Sequence, residues 1–163
     1  MSYFRIEKLD APTRKPQKVL MATDAPNGYW RIAYEFDQMS SWEILIAVNQ
    51  LEIEPDVLVT PEGYCFIGVE QAVFCVSEQT GEVISSIEDL SFVQSIEMLS
   101  KDRVIITAED EALLFSTNGI YKWRVNLPDI IEDIKEIADR LEIELVSEEK
   151  LYLDTETGLP SAR

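Results

Sequence analysis

The sequence predicts a mainly β (α+β) fold, an antiparallel meander of hairpins with one or two packed helices. Three observations predict it. From residue 57 onward, short runs rich in β-branched and aromatic residues are separated by turn signals. Three of these stretches can be laid on one another. One later segment carries an apolar stripe at helical spacing. At 163 residues, 46% hydrophobic and 28% charged, the chain is large and apolar enough for a core, and a single domain over 1–163 is expected.

The elements follow in order. YFRIEKL (3–9) fits a strand. DAPTRKPQK (10–18) combines two prolines with three bases and reads as a loop, so residues 1–18 are expected to form a partly mobile basic arm. GYWRIAYEFD (28–37) alternates as a strand does, with Trp30, Ile32, Tyr34 and Phe36 on one face. SWEILIAVNQLE (41–52) fits two patterns. Trp42, Ile44, Ile46 and Val48 alternate, whereas Ile44, Ala47, Val48 and Leu51 form a helical stripe that Ser41 would cap. The reading leans to helix, ended by Pro55.

VLVT, YCFIGV, AVFCV and EVISSI are four strands, divided by Pro61-Glu62-Gly63, Glu70-Gln71 and Glu78-Gln79-Thr80-Gly81. VIITA (104–108) and ALLFS (112–116) form the next hairpin. Asn118-Gly119 then turns the chain into IYKWRV, supplying the positive φ of a tight turn. DIIEDIKEIADRL (129–141) predicts a helix. Ile130, Ile134, Ile137, Ala138 and Leu141 make one stripe, and Asp129 with Glu132 resembles a capping box. ELV and KLYLD form a last hairpin around Glu148-Glu149, closed by Thr157-Gly158.

The repeat comprises YCFIGVEQAVFCVSEQTG (64–81), RVIITAEDEALLFSTNG (103–119) and LEIELVSEEKLYLDTETG (141–158). Gly81, Gly119 and Gly158 stand 38 and 39 residues apart, and each unit reads strand, short acidic turn, strand, Gly turn. VLVTPEGYCFIGVEQAVFCVSEQTGEVI and the GIYKW that ends in Trp123 give the best match to a known pattern. It resembles the blades of the quinoprotein-type (PQQ-like) β-propellers, where a strand pair leads through Thr-Gly or Asn-Gly to an outer strand and often a Trp. The resemblance covers 57–125 and, more weakly, 141–158. It implies propeller-blade-like hairpins, too few for a closed propeller, because a ring takes about four to eight blades and at most three are legible. It implies no cofactor. The expected helix at 129–141 stands where a strand would follow, the first unit ends in Ser85-Ser86-Ile87 without a Trp, and the quinone sites of enzymatic members map to no residue here.

Charge bounds the function. Between Arg31 and Lys101 there is no lysine or arginine, yet residues 32–100 hold 13 acids. The net charge is −17: +3 over 1–18, −13 over 19–100 and −7 over 101–163. Such a chain repels nucleic acid and anionic lipid and attracts a basic partner. Arg14, Lys15 and Lys18 are too few to hold nucleic acid directly. No apolar run approaches the ~20 residues that span a bilayer. The first residues lack a secretory pattern, so a cytoplasmic address is expected. Cys65 and Cys75 lie inside apolar runs and are expected as buried thiols, with a cross-strand disulfide depending on hairpin register.

No catalytic constellation is visible. The chain has no histidine, which removes Ser-His and Cys-His pairs and His metal ligands. G-x-G-x-x-G, Walker A, G-x-S-x-G and C-x-x-C are absent. Ser147 and Lys150 fit S-x-x-K on a hairpin turn, without companion motifs. Glu109-Asp110-Glu111 and Glu148-Glu149 lack calcium-loop spacing and read as exposed acidic turns. No catalytic, cofactor or metal residue is therefore assigned.

What the sequence supports is a non-catalytic acidic binding module. Its most concrete form is an immunity protein that covers the active site of a basic, nuclease-like toxin. The expected partner-binding residues are Glu35, Asp37, Glu43, Glu52, Glu54 and Asp56, with Trp30 and Trp42 as aromatic anchors. Core packing is the other reading of those aromatics. Alternatives are an assembly subunit pairing through blade-like sheet edges with a partner or with itself, a DNA mimic and, weakest, an enzyme.

Overall fold

The structure, a computed structural model, describes residues 2–11, 18–36, 39–100 and 102–161. The centre of the expected basic arm, 12–17, and Asp37 lie outside the described residues. Four sheets are present. The first contains β1 (Ser2–Leu9), β2 (Val19–Met21), β3 (Gly28–Phe36) and β4 (Met39–Val48) in the order β1-β3-β4-β2, with β2 parallel to β4. The second is the meander β5 (Asp56–Val59), β6 (Tyr64–Val69), β7 (Ala72–Ser77) and β8 (Val83–Ile87). The third repeats it with β9 (Val93–Met98), β10 (Arg103–Ala108), β11 (Glu111–Ser116) and β12 (Tyr121–Asn126). The fourth holds β13 (Ile131–Ile137), β14 (Arg140–Leu145) and β15 (Lys150–Asp154).

The sheets stack face to face. One apolar cluster joins the first sheet to the second, with Trp42, Ile44 and Ile46 against Cys65, Ile67 and Phe74. Another joins the second to the third through Phe66, Val73, Val104 and Phe115. A further one joins the third to the fourth through Leu114, Trp123, Ile134 and Ile143. Among the described residues none of these clusters joins the fourth sheet back to the first, so the stack is open. The middle strands of the inner sheets are covered on both faces, which is why YCFIGV, AVFCV and ALLFS are continuous apolar runs. RLEIEL alternates because the fourth sheet has one covered face. Each large side chain buried in these layers contributes about 1.5–3 kcal/mol.

Among the described residues there is no helix, which corrects both helix expectations. Residues 41–52 run as β4, where Trp42, Ile44, Ile46 and Val48 face the second sheet; the alternating pattern won over the helical one. Segment 129–141 folds as β13 and the start of β14, with the turn at Ala138 (φ 58°). A β-bulge between Ile131 and Asp133 puts Ile131 and Ile134 on the same covered face, whereas the helical stripe read from the sequence mixed buried Ile134 and Leu141 with exposed residues and the turn residue Ala138. Ile130 and Ile137 are exposed, and Asp129 caps a loop, accepting the Ile130 N–H at 2.8 Å and the Ser147 N–H at 3.1 Å. Besides the three blade-like units legible in the repeat, the structure has the first sheet. The first sheet was missed because it lacks the Gly turn of the repeat and contains a parallel pair.

Recurring bonds fasten each sheet to the next. Leu90 N–H and Val93 N–H donate to Gln71 O and Glu70 O, at 3.0 and 2.7 Å. In the next sheet Leu127 N–H and Ile131 N–H donate to Asp110 O and Glu109 O, at 2.7 and 2.8 Å. At the opposite end, Trp123 packs on Gly158 and donates from Nε1 to Thr155 O at 2.9 Å. Trp42, on an internal strand rather than an edge strand, packs on Gly81 in the same way and donates to Glu78 O at 2.7 Å. Where the second sheet has no Trp, Ser85 Oγ donates to Gly119 O at 3.1 Å.

Cys65 pairs with Val76 and Cys75 with Phe66, so the two thiols leave opposite faces of one sheet and cannot form a disulfide.

Candidate functional site

The sheet stack has two unlike ends. The β6–β7, β10–β11 and β14–β15 turns lie at one end, together with the links 49–55, 88–92 and 127–130. A continuous series of bonds shows that they adjoin. Glu70 accepts the Gln50 N–H, Leu90 of the 88–92 link and Val93 donate to Gln71 and Glu70, and Leu127 of the 127–130 link and Ile131 donate to Asp110 and Glu109. Glu109 N–H in turn donates to Phe92 O at 2.9 Å, and Val146 N–H to Ile130 O at 2.9 Å.

With Asp56 at the start of β5, these segments contribute Glu52, Glu54, Asp56, Glu70, Glu88, Asp89, Glu109, Asp110, Asp129, Glu148 and Glu149, and no lysine or arginine. Among the described residues two bases reach in from neighbouring strands, and Lys150 borders the β14–β15 turn, paired with Glu142 and Glu144. Lys8 pairs with Glu52 at 2.9 Å. Arg124 holds Asp89 at 2.9 Å and buried Glu111 at 2.8 Å, and the Glu111 bond foremost raises the guanidinium pKa further. Glu70 is buried, but the remaining acids outnumber these bases, so this end is a negative surface. Ile130 and Val146 are exposed within it, next to Asp129 and Glu148. Asp129 stays ionised below the usual carboxylate range, chiefly through the Ile130 N–H and then through Ser147.

The opposite end mixes charges. Arg103 pairs with Glu136 at 3.1 Å and with Glu156, beside a polar cleft of about 270 Å³ that also meets Glu62, Asp102 and Lys122.

The expected partner-binding residues separate accordingly. Glu52, Glu54 and Asp56 belong to the acidic end, and Asp56 also accepts the Ile96 N–H at 2.8 Å, tying the second sheet to the third. Glu35 is half-buried near the other end of β3. Glu43 is not on a contact surface: it is buried and bonded to Arg31, Nη2 to Oε2 at 2.5 Å, with Glu7 on the same guanidinium at 2.7 Å. Trp30 and Trp42 are core residues, Trp42 stacked on Tyr34 with ring centroids 5.7 Å apart. Asp89, Glu109, Asp110, Asp129, Glu148 and Glu149 were missed as a site. Their signal was the acidic turn that recurs at the same point of each repeat, which puts those turns at the same end of every sheet.

Among the described residues no group of three or more Cys, Asp or Glu is placed to hold a metal ion. Burial pushes the Cys75 thiol up to about 12, and Cys65 is raised further by the same cause. Neither is a nucleophile at neutral pH.

No family model and no curated protein matches this chain. Solved structures do. BamB from Moraxella catarrhalis aligns with a TM-score of 0.54 at 16% identity, over 81% of this chain and 41% of its own. Kuenenia stuttgartiensis hydrazine synthase aligns with a TM-score of 0.56 at 11% identity, over 90% of this chain and 48% of its own. The chain thus spans less than half the length of either. These likenesses establish the fold: a partial propeller-blade architecture, too short for a closed propeller. The likeness to BamB also runs against the expected cytoplasmic address, which is withdrawn; it rested on the appearance of the first residues alone.

Proposed function

We propose that the chain is a non-catalytic acidic module that binds and neutralises a basic protein. Its most concrete form is an immunity protein seated over the positively charged active site of a nuclease-type toxin. One observation carries the reading: turns and links of the stacked sheets meet at one end, and segments 49–55, 70–71, 88–92, 109–110, 127–130 and 146–149 hold acids without a single base. Charges gathered there steer an oppositely charged partner into encounter, and the exposed Ile130 and Val146 supply apolar contact after docking. The partner residues are then the acids of the turns, with Glu52, Glu54 and Asp56, while Trp30 and Trp42 serve the core.

The test is retention of proteins from native-source lysate at low and at high salt, followed by a nuclease assay on what is retained. The expected result is one strongly basic protein that loosens as salt rises and whose activity falls when this chain is added. Recovery of only this chain or a neutral subunit would overturn the reading in favour of an assembly role.

A further inference from the structure

We infer that a polar cleft between the third and fourth sheets takes one arginine side chain of the basic partner. This rests on the proposed function and names the group by which the partner is anchored.

The cleft exists because one junction of the stack departs from its neighbour. Val93 N–H donates to Glu70 O and Ile131 N–H to Glu109 O, so β9 meets the second sheet as β13 meets the third. The first of these junctions is closed. A Cβ on Gly68 would stand 2.8 Å from Val93 Cγ1 and 2.9 Å from Ile96 Cδ1. Asp56, opposite Gly68, accepts the Ile96 N–H at 2.8 Å. At the second junction Thr107 stands where Gly68 does, and Ser95, opposite it, stands where Asp56 does. The Ile134 N–H, counterpart of Ile96, turns instead to Asp133 Oδ1 at 2.9 Å. A cleft of about 250 Å³ remains between the two sheets.

Its polar lining is Gln94, Ser95, Glu97, Thr107, Glu132 and Asp133. These groups offer acceptors and few donors. Ser95 Oγ donates to Glu97 Oε1 at 3.0 Å, so its single proton is engaged, and Thr107 Oγ1, 2.8 Å away, donates to Ser95. The carboxylates of Glu97, Glu132 and Asp133 only accept, which leaves the Gln94 amide to donate. Among the described residues no lysine or arginine lines the cleft, and Lys135, on the same strand as Asp133, is engaged by it. A fitting ligand is narrow, positively charged and rich in donors. A guanidinium is planar with five N–H donors and can bond two carboxylates at once, while its alkyl stem lies on Ile131 and Ile134. Gln94 and Glu132 are the second residues of β9 and β13, just past the links 88–92 and 127–130, so the cleft borders the acidic end. A partner drawn to that end can place an arginine here.

The probe is N-acetyl-arginine amide, titrated into the isotope-labelled protein and followed by amide NMR shifts. Saturable shifts are expected at Ser95, Thr107, Asp133 and Ile134. The citrulline analogue, similar in shape but uncharged, should bind about tenfold more weakly. The double variant Glu97→Gln, Glu132→Gln, at two exposed positions, should also weaken arginine binding about tenfold. Glu148→Lys with Glu149→Lys, on an exposed turn outside the cleft, should change it less than about twofold. Equal binding of the citrulline analogue, or shifts confined to the acidic turns, overturns the proposal without relying on any variant. A basic protein captured from lysate at low salt and held equally by the parent and the Glu97→Gln, Glu132→Gln protein also overturns it, while leaving the acidic-end reading standing. Failure to capture any basic protein removes that reading and the occupant named here together.

Discussion

Trp123 and Gly158 hold the third sheet to the fourth. A Cβ on Gly158 would stand 2.7 Å from the indole, and the indole N–H reaches Thr155 O at 2.9 Å. Trp42 and Gly81 make the same contact between the first and second sheets. At both, the glycine has positive φ, so the backbone shape and the close approach require the same residue.

Gly158→Ala should therefore destabilise the protein by about 2–4 kcal/mol, combining a strained φ with a clash against the ring. Trp123→Phe should cost about 1–3 kcal/mol, since Thr155 O loses its donor in a buried place. Urea unfolding measures both. A Gly158→Ala protein as stable as the parent would contradict this account of the sheet junction.

The Arg31 network makes a second prediction. Glu43 is almost wholly buried and Glu7 about one-third exposed on the same guanidinium. Glu43→Ala leaves a partly buried cation short of its main partner and should cost about 3–5 kcal/mol. Glu7→Ala should cost less than about 1 kcal/mol. Equal effects would show that the pair is not held as described.

Much of the fold was legible because the inner sheets repeat. The strands read between 57 and 125 from β-branched runs and Gly turns are β5 to β8 and β10 to β12, whereas β9 was missed because its residues VQSIEM are mostly polar or exposed. The helices were misread for a physical reason at each place. At 41–52 two periodicities coexist, and burial on both faces of β4 removes the polar positions that would have separated them. At 129–141 the helical stripe joined Ile134 and Leu141, which are buried, to Ile130 and Ile137, which are exposed, and to Ala138 in the turn, so its spacing did not mark one face. The candidate site was legible only as charge. Counting acids along 32–100 captured Glu52, Glu54 and Asp56 but also Glu43, whose partner lies across the sheet, and it stopped before the turns at 109–110 and 148–149.

Thiol reactivity provides a third prediction. With Cys75 pushed up to about 12 by burial and Cys65 higher, both should resist a thiol reagent at neutral pH and react only as the chain unfolds. Groups with a raised folded pKa contribute stability that is complete below their unfolded value and is lost as pH rises through the folded one. Stability should thus decline above about pH 9, and less steeply when both cysteines are replaced by alanine. Rapid labelling of the folded protein would refute this.

Carboxylates set the acid side. Asp129 is held low by the Ile130 and Ser147 N–H groups, and Glu7 chiefly by the Arg31 hydrogen bond. A depressed carboxyl stabilises fully above its unfolded pKa and loses that contribution as pH falls through the folded value. Unfolding midpoints should drop between about pH 5 and pH 2, and less so in Asp129→Asn. An unchanged acid limb in that variant would show that the loop cap does not act on stability.

The most direct test of the acidic end compares two charge-reversed proteins in the same lysate capture. One carries Glu109→Lys, Asp110→Lys, Glu148→Lys and Glu149→Lys; the other carries Glu62→Lys and Glu156→Lys at the opposite end. The account predicts that the first loses a basic protein which the parent and the second both retain at low salt. Equal retention by all three, or loss only in the second, would contradict it.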